Sequence, residues 1–155
     1  MATARSLFVT PSKETLTRFQ FNIRYIRLLF GWSGEKLAKT LDVTRQTIKN
    51  LENGDITITT VYYFALTKVF ENEISRLYSD VGFDSDTVTI IEEAYLALLE
   101  CDDNKINKIQ TIIFTKFKSC PKRKGCITAR DSIVASLKHA IGTTKEDWQK
   151  WRNTK

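Results

Sequence analysis

A chain of 155 residues has room for one ordinary domain or two small ones and is too short for a large enzyme. Its residues are 42% hydrophobic and 27% charged, with nine Phe, five Tyr and three Trp, which is enough for a packed core and excludes a disordered chain. The 24 basic and 18 acidic side chains leave a net charge of +6, a modest excess that suits a polyanionic partner.

One histidine, six glycines and two prolines leave little material for acid–base catalysis or for a phosphate-cradling loop, so neither an enzyme nor a cofactor is expected. Three cysteines cannot complete a disulfide framework, which fits a reducing compartment. No apolar run approaches the roughly 18 residues needed to span a bilayer. The start, MATARSLFVTPSKE, lacks the apolar core of a signal peptide. A cytoplasmic protein with no membrane association is expected. Charge is unevenly placed: +5 over residues 1–70, −9 over 71–103 and +10 over 104–155. That pattern fits two basic lobes joined across an acidic stretch, although solvated helix faces explain the middle block more simply.

Thr10 and Pro11 signal a helix start, and Leu16, Phe19, Ile23, Ile26 and Phe30 then form one apolar stripe that Gly31 closes. Ser33 caps a second helix carrying Leu37, Ala38 and Leu41. Thr44 caps a third carrying Ile48 and Leu51, which Asn53 and Gly54 stop. Residues 56–60 offer a weak strand alternation at most. Thr59 or Thr60 opens a fourth helix through Phe70, and Ile74, Leu77 and Tyr78 form a short fifth. The turn formers from Tyr78 to Asp86 mark the best boundary. The division is therefore residues 1–79, a connector at 80–86, and residues 87–155. Beyond it, Thr87–Glu100 and Asp103–Phe117 read as helices, Thr128 and Asp131 cap another that Gly142 ends, and Thr144 caps a last one. The expected fold is all-α, with five helices followed by about four.

The segment from Ser33 to Gly54, SGEKLAKTLDVTRQTIKNLENG, closely resembles the helix-turn-helix of the phage-repressor and Cro-like (XRE) family of bacterial regulators. The resemblance rests on small Ala38 where two helices meet, on Leu37, Leu41, Val43, Ile48 and Leu51 at core positions, on the Thr44 cap and on the closing ENG. With its flanks it covers about residues 19–77, the usual five-helix domain of that family. It implies that the helix from Thr44 to Leu51 enters the major groove, where each base pair presents a distinct donor and acceptor pattern. Thr44, Arg45, Gln46, Lys49 and Asn50 are then the DNA-binding residues, with Arg45 suited to guanine and Gln46 to adenine.

Two departures from the family stand out. Gly34 replaces the Gln that usually holds a phosphate. The loop after the third helix, DITITT, carries Asp55 and no basic residue, so phosphate contact there falls to backbone amides and to Thr57, Thr59 or Thr60, with Arg24 and Lys36 nearby to supply charge. The resemblance also sets Arg27 opposite Glu52 as a structural ion pair.

The last 69 residues read as apolar-faced helices suited to dimerisation, ligand sensing or capture of a protein partner. Cys120 and Cys126, with Cys101 and His139, have the atoms for a zinc site but not the usual spacing, so structural thiols are preferred and no metal is expected. The segment from Ser136 to Lys155 aligns with the helix-turn-helix at an offset of 100 residues, setting Leu137, Ile141, Thr144, Trp148 and Trp151 against Leu37, Leu41, Thr44, Ile48 and Leu51. Either it is a degenerate second reading head, or Trp148 and Trp151 belong to a packing helix. Lys145, Lys150, Arg152 and Lys155 add phosphate contacts in both cases. The leading expectation is a sequence-specific regulator of double-stranded DNA, a repressor acting as a homodimer. The alternative is an interaction module, of antitoxin or antirepressor type, that holds a protein through its C-terminal helices.

Overall fold

A computed structural model describes residues 11–80, 85–100, 102–116 and 129–154. Seven helices and no strand occur among them: α1 (Lys13–Leu29), α2 (Gly34–Leu41), α3 (Arg45–Asn53), α4 (Thr60–Ser79), α5 (Ser85–Glu100), α6 (Asp103–Lys116) and α7 (Ala129–Thr154). The fold is all-α. Residues 56–59 form a loop and not a strand.

Helix ends in the first half follow local chemistry. Ser12, not the Thr10–Pro11 pair, caps α1: its hydroxyl accepts the Thr15 amide at 3.2 Å, and Pro11 lies outside the helix. Gly31 closes α1 from the left-handed region, at φ 71°. Ser33, Thr44 and Thr59 cap α2, α3 and α4 as expected, each side chain accepting an amide three residues on.

Two expected breaks are absent. The separate fourth and fifth helices are one helix, α4, because buried Leu66, Phe70, Ile74 and Leu77 form a single stripe through the polar Glu71–Asn72–Glu73 stretch. Glu73 is itself buried there, its carboxylate held by the Arg76 guanidinium at 3.0 Å. Nor does Gly142 end a helix. In α7 the buried Leu137, Ala140 and Ile141 and the half-buried Trp148 and Trp151 keep one face to the core through Gly142 and Thr144. A glycine in a helix interior costs only about 1 kcal/mol, less than the stripe returns. Without a turn there, the tail is not a second helix-turn-helix, and the expected capping role of Thr144 is absent.

The core is organised around α1, which is apolar on more than one side. Phe19 meets Tyr63 of α4 edge-on at 4.9 Å, and Phe21 packs on Trp148 and Trp151 of α7 at 5.2 and 5.8 Å. Phe30, just past its end, stacks on Phe70 of α4 at 5.7 Å and approaches Tyr95 of α5. The Asn22 amide donates to the Leu98 carbonyl of α5 at 2.6 Å. One contiguous apolar cluster therefore draws on the helices from α1 to α7.

Candidate nucleic-acid interface

Helices α2 and α3 form a corner whose inner side is apolar and whose outer side is polar. Leu37, Ala38, Ile48 and Leu51 are 0 to 3% exposed, and each large one contributes roughly 1.5 to 3 kcal/mol by leaving water. The turn between them is tight. Asp42 adopts a left-handed φ of 57° and closes α2, while the Val43 amide donates back to the Ala38 carbonyl at 2.9 Å. A non-glycine residue there is strained by roughly 1 kcal/mol or more, although Asp tolerates the conformation better than most. At the far end of α3, Gly54 takes φ 76° and stops the helix cleanly.

With Ile48 and Leu51 turned inward, Thr44, Arg45, Gln46 and Lys49 lie exposed on the other face. Arg45 and Lys49 form no ion pair with any described residue, so their charges are turned to solvent rather than spent on the fold. The Gln46 amide donates to the Asn50 side-chain oxygen at 2.9 Å, one turn along, which orients the amide and leaves its own oxygen and second N–H for a ligand. Thr44 is committed as the cap, bonding the Thr47 amide at 3.2 Å.

The helix is held from behind at its C-terminal end. The Arg27 guanidinium of α1 donates to both Glu52 carboxylate oxygens, at 2.7 and 3.2 Å, and to the Trp32 carbonyl at 2.8 Å. The side chains are 15% and 5% exposed, so this forked pair is largely removed from water. Gln20, about two helical turns earlier in α1, is a positioning residue that the sequence reading does not single out. Its amide nitrogen donates to the carbonyls of Leu51 and Ile56, at 3.0 and 2.6 Å, and its oxygen accepts the Ile58 amide at 3.3 Å. It thereby pins the loop that leaves α3. The available signal was a Gln, and two residues on an Asn, interleaved with Phe19, Phe21 and Ile23. Polar residues set among the buried apolar faces of a helix must be satisfied inside.

The expected phosphate contacts are dispersed around this helix. Thr57 is exposed, and Thr59, also exposed, caps α4. The Lys36 ammonium lies 4.9 Å from the centre of the Trp32 ring, a cation–π contact at the start of α2. Gly34 leaves open space where a side chain would stand. Arg24 is exposed and donates to the Asn53 side-chain oxygen at 2.9 Å. It lines a cleft of about 390 Å³ together with Asn53, Tyr25, Asp147, Lys150 and Trp151. Within it the Tyr25 hydroxyl donates to the Asp147 carboxylate. Burial first, and the adjacent Asp147 next, push the Tyr25 hydroxyl pKa up to about 12.

Among the described residues no three His, Cys, Asp or Glu side chains are grouped to share a metal ion. Cys101, Cys120 and Cys126 lie outside the described residues, as do Thr128 and Lys155, while His139 is exposed on α7. No described helix is long and apolar enough to cross a membrane.

A family model described as Helix-turn-helix matches residues 23–77, which contain the whole α2–α3 corner and its Arg27–Glu52 brace. The chain is 32% identical over 56 residues to a Bacillus subtilis (strain 168) protein named as an uncharacterized HTH-type transcriptional regulator, YgzD. The matched stretch is 36% of this chain and 85% of that relative. No solved structure matches the chain.

Proposed function

The chain belongs to the phage-repressor and Cro-like family of helix-turn-helix DNA-binding regulators, and from that premise we propose a sequence-specific repressor that reads duplex DNA through Thr44 to Leu51. The observation carrying this reading is the outer face of α3. It presents Arg45, Gln46 and Lys49 to solvent on a helix whose end is pinned by Arg27 and Gln20. Rigid placement matters because a bidentate base contact discriminates only when both hydrogen bonds are made together. In this reading Arg45 takes the O6 and N7 of a guanine and Gln46 the N6 and N7 of an adenine. Thr44, Lys49 and Asn50 divide between bases and backbone, and Arg24, Lys36, Thr57 and Thr59 reach phosphates.

The protein acts as a homodimer in this proposal, because two heads one helical turn apart double the site and compensate for the cation-free 55–60 loop. Capture of a protein by the C-terminal helices has less support. Leu137, Ile141, Trp148 and Trp151 are packed against the rest of the chain, and Leu96 and Ile112 are the large apolar residues exposed among the described ones of those helices. Selection of bound duplexes from a random pool tests the proposal directly. Enrichment of a two-fold symmetric site with half-sites about 10 base pairs apart is expected. A pool that stays random after repeated selection would refute sequence-specific reading.

A further inference from the structure

We infer that α7 supplies a backbone-phosphate contact to the DNA interface, through a cleft in which Lys150 joins Arg24 and Asn53 at the end of α3. The inference rests on the reading of α3 as the groove-entering helix, and it extends that interface to a helix outside the matched residues 23–77.

The nine residues of α3 are roughly 14 Å long, close to the roughly 12 Å width of the major groove. A helix seated in that groove brings its two ends up to the flanking phosphate backbones. At the C-terminal end the last turn of α3 contains no basic residue, and the helix dipole there is negative, so α3 by itself repels a phosphate at this point. The charge that corrects this comes from other helices. Arg24 of α1 is bonded to Asn53, the last residue of α3, and exposed Lys150 of α7 lines the same cleft.

Lys150 is there because the tail is docked. Trp148 and Trp151 stack on one another at 5.8 Å and both pack on Phe21, while Asp147 accepts the Tyr25 hydroxyl. Of the two acidic groups of the cleft, Glu52 is neutralised by Arg27, while Asp147 is bonded to the neutral Tyr25 hydroxyl and keeps its charge, which leaves the cations in excess by one. Arg24 and Lys150 therefore face solvent as a pair of cations suited to a phosphodiester. They stand in for the basic residue that the loop after α3 lacks.

The test uses the full chain and a duplex bearing its selected site, with affinity measured across salt concentrations. Lys150→Gln should lower the slope of log affinity against log salt by about 0.9 per bound copy and weaken binding about eightfold at 0.1 M salt. Lys108→Gln removes an equal charge from α6, which packs on α5 and α7, and should leave the slope unchanged. Lys150→Glu should exceed Lys150→Gln, with unchanged thermal melting in both. Replacing one phosphate beside each half-site with a neutral methylphosphonate should abolish the difference between wild type and Lys150→Gln at a single position. If Lys150→Gln matches Lys108→Gln while Lys49→Gln still lowers the slope, the α7 contact is wrong and the α3 reading stands. A wild-type protein with no salt-sensitive duplex binding would overturn both.

Discussion

The α1–α4 head and helix α7 respond differently to local stop signals. In the head, Ser12, Ser33, Thr44 and Thr59 close N-termini with side-chain hydrogen bonds, and Gly31, Asp42 and Gly54 close C-termini from left-handed backbone. Helix α7 instead runs 26 residues through a glycine, governed by which face meets α1. Short helices that must present a polar surface cannot rely on burial to set their limits, so they rely on caps. A long helix laid along the core is carried by packing through a local stop signal of about 1 kcal/mol.

Substitutions can break or sharpen this contrast. The largest effect is expected at the brace between α1 and α3 within the head. Glu52→Ala strands the Arg27 guanidinium and should lower unfolding free energy by about 3 kcal/mol in denaturant titration. An unchanged midpoint would show that the pair does not hold α3.

On the reading face, changes should spare stability and affect binding. Arg45→Ala should cost about 1 to 3 kcal/mol on the selected site and relax preference at one base pair. Retained discrimination in an Arg45→Ala, Gln46→Ala double variant would remove α3 from base reading.

Next in size is the clasp between α1 and α7. The Tyr25 hydroxyl has its pKa raised from 10.0 to about 12, so the folded state favours its neutral form. The resulting stabilisation is full below pH 10 and is lost as pH rises toward 12, by up to ~2 kcal/mol. Denaturant midpoints should therefore fall more steeply over that range in wild type than in Tyr25→Phe. Parallel slopes would mean that the clasp does not feel the titration.

At Gly34 an added β-carbon meets nothing within 4 Å and the backbone is not left-handed, so Gly34→Gln should enter without backbone strain. It should tighten duplex binding by roughly 1 kcal/mol through a neutral phosphate hydrogen bond. Because no cation is added, the salt slope should not move. The smallest effect separates the two kinds of glycine. A β-carbon at Gly142 comes no nearer than 4.0 Å to Gln110, so Gly142→Ala should raise stability by about 0.5 to 1 kcal/mol. Destabilisation at Gly142 would instead point to a helix end there.

The contrast also explains what could be read from the sequence. Capped ends are written within four residues, which is why Ser33, Thr44, Gly54 and Thr59 were legible, together with the inward set Leu37, Ile48 and Leu51. The outward face of α3 followed by subtraction. Continuity of α4 was hidden because Glu73 looks like a surface break and is in fact a buried partner of Arg76. The roles of Gln20 and Tyr25, and the placement of Lys150 beside Arg24, depend on contacts between distant segments, and no local pattern encodes them.

The Tyr25–Asp147 bond joins residues 122 positions apart, and Phe21 is covered by tryptophans just beyond that distance. A ribosome adding about 5 to 20 residues per second leaves this side of α1 without its cover for roughly 6 to 24 seconds after Tyr25 is made. During synthesis the α1–α4 head therefore emerges long before the α7 helix that covers it, with the Phe21 side open to other nascent chains. Mistakes in assembly are most costly in that interval, which closes only when Asp147 and the tryptophans of α7 have been added.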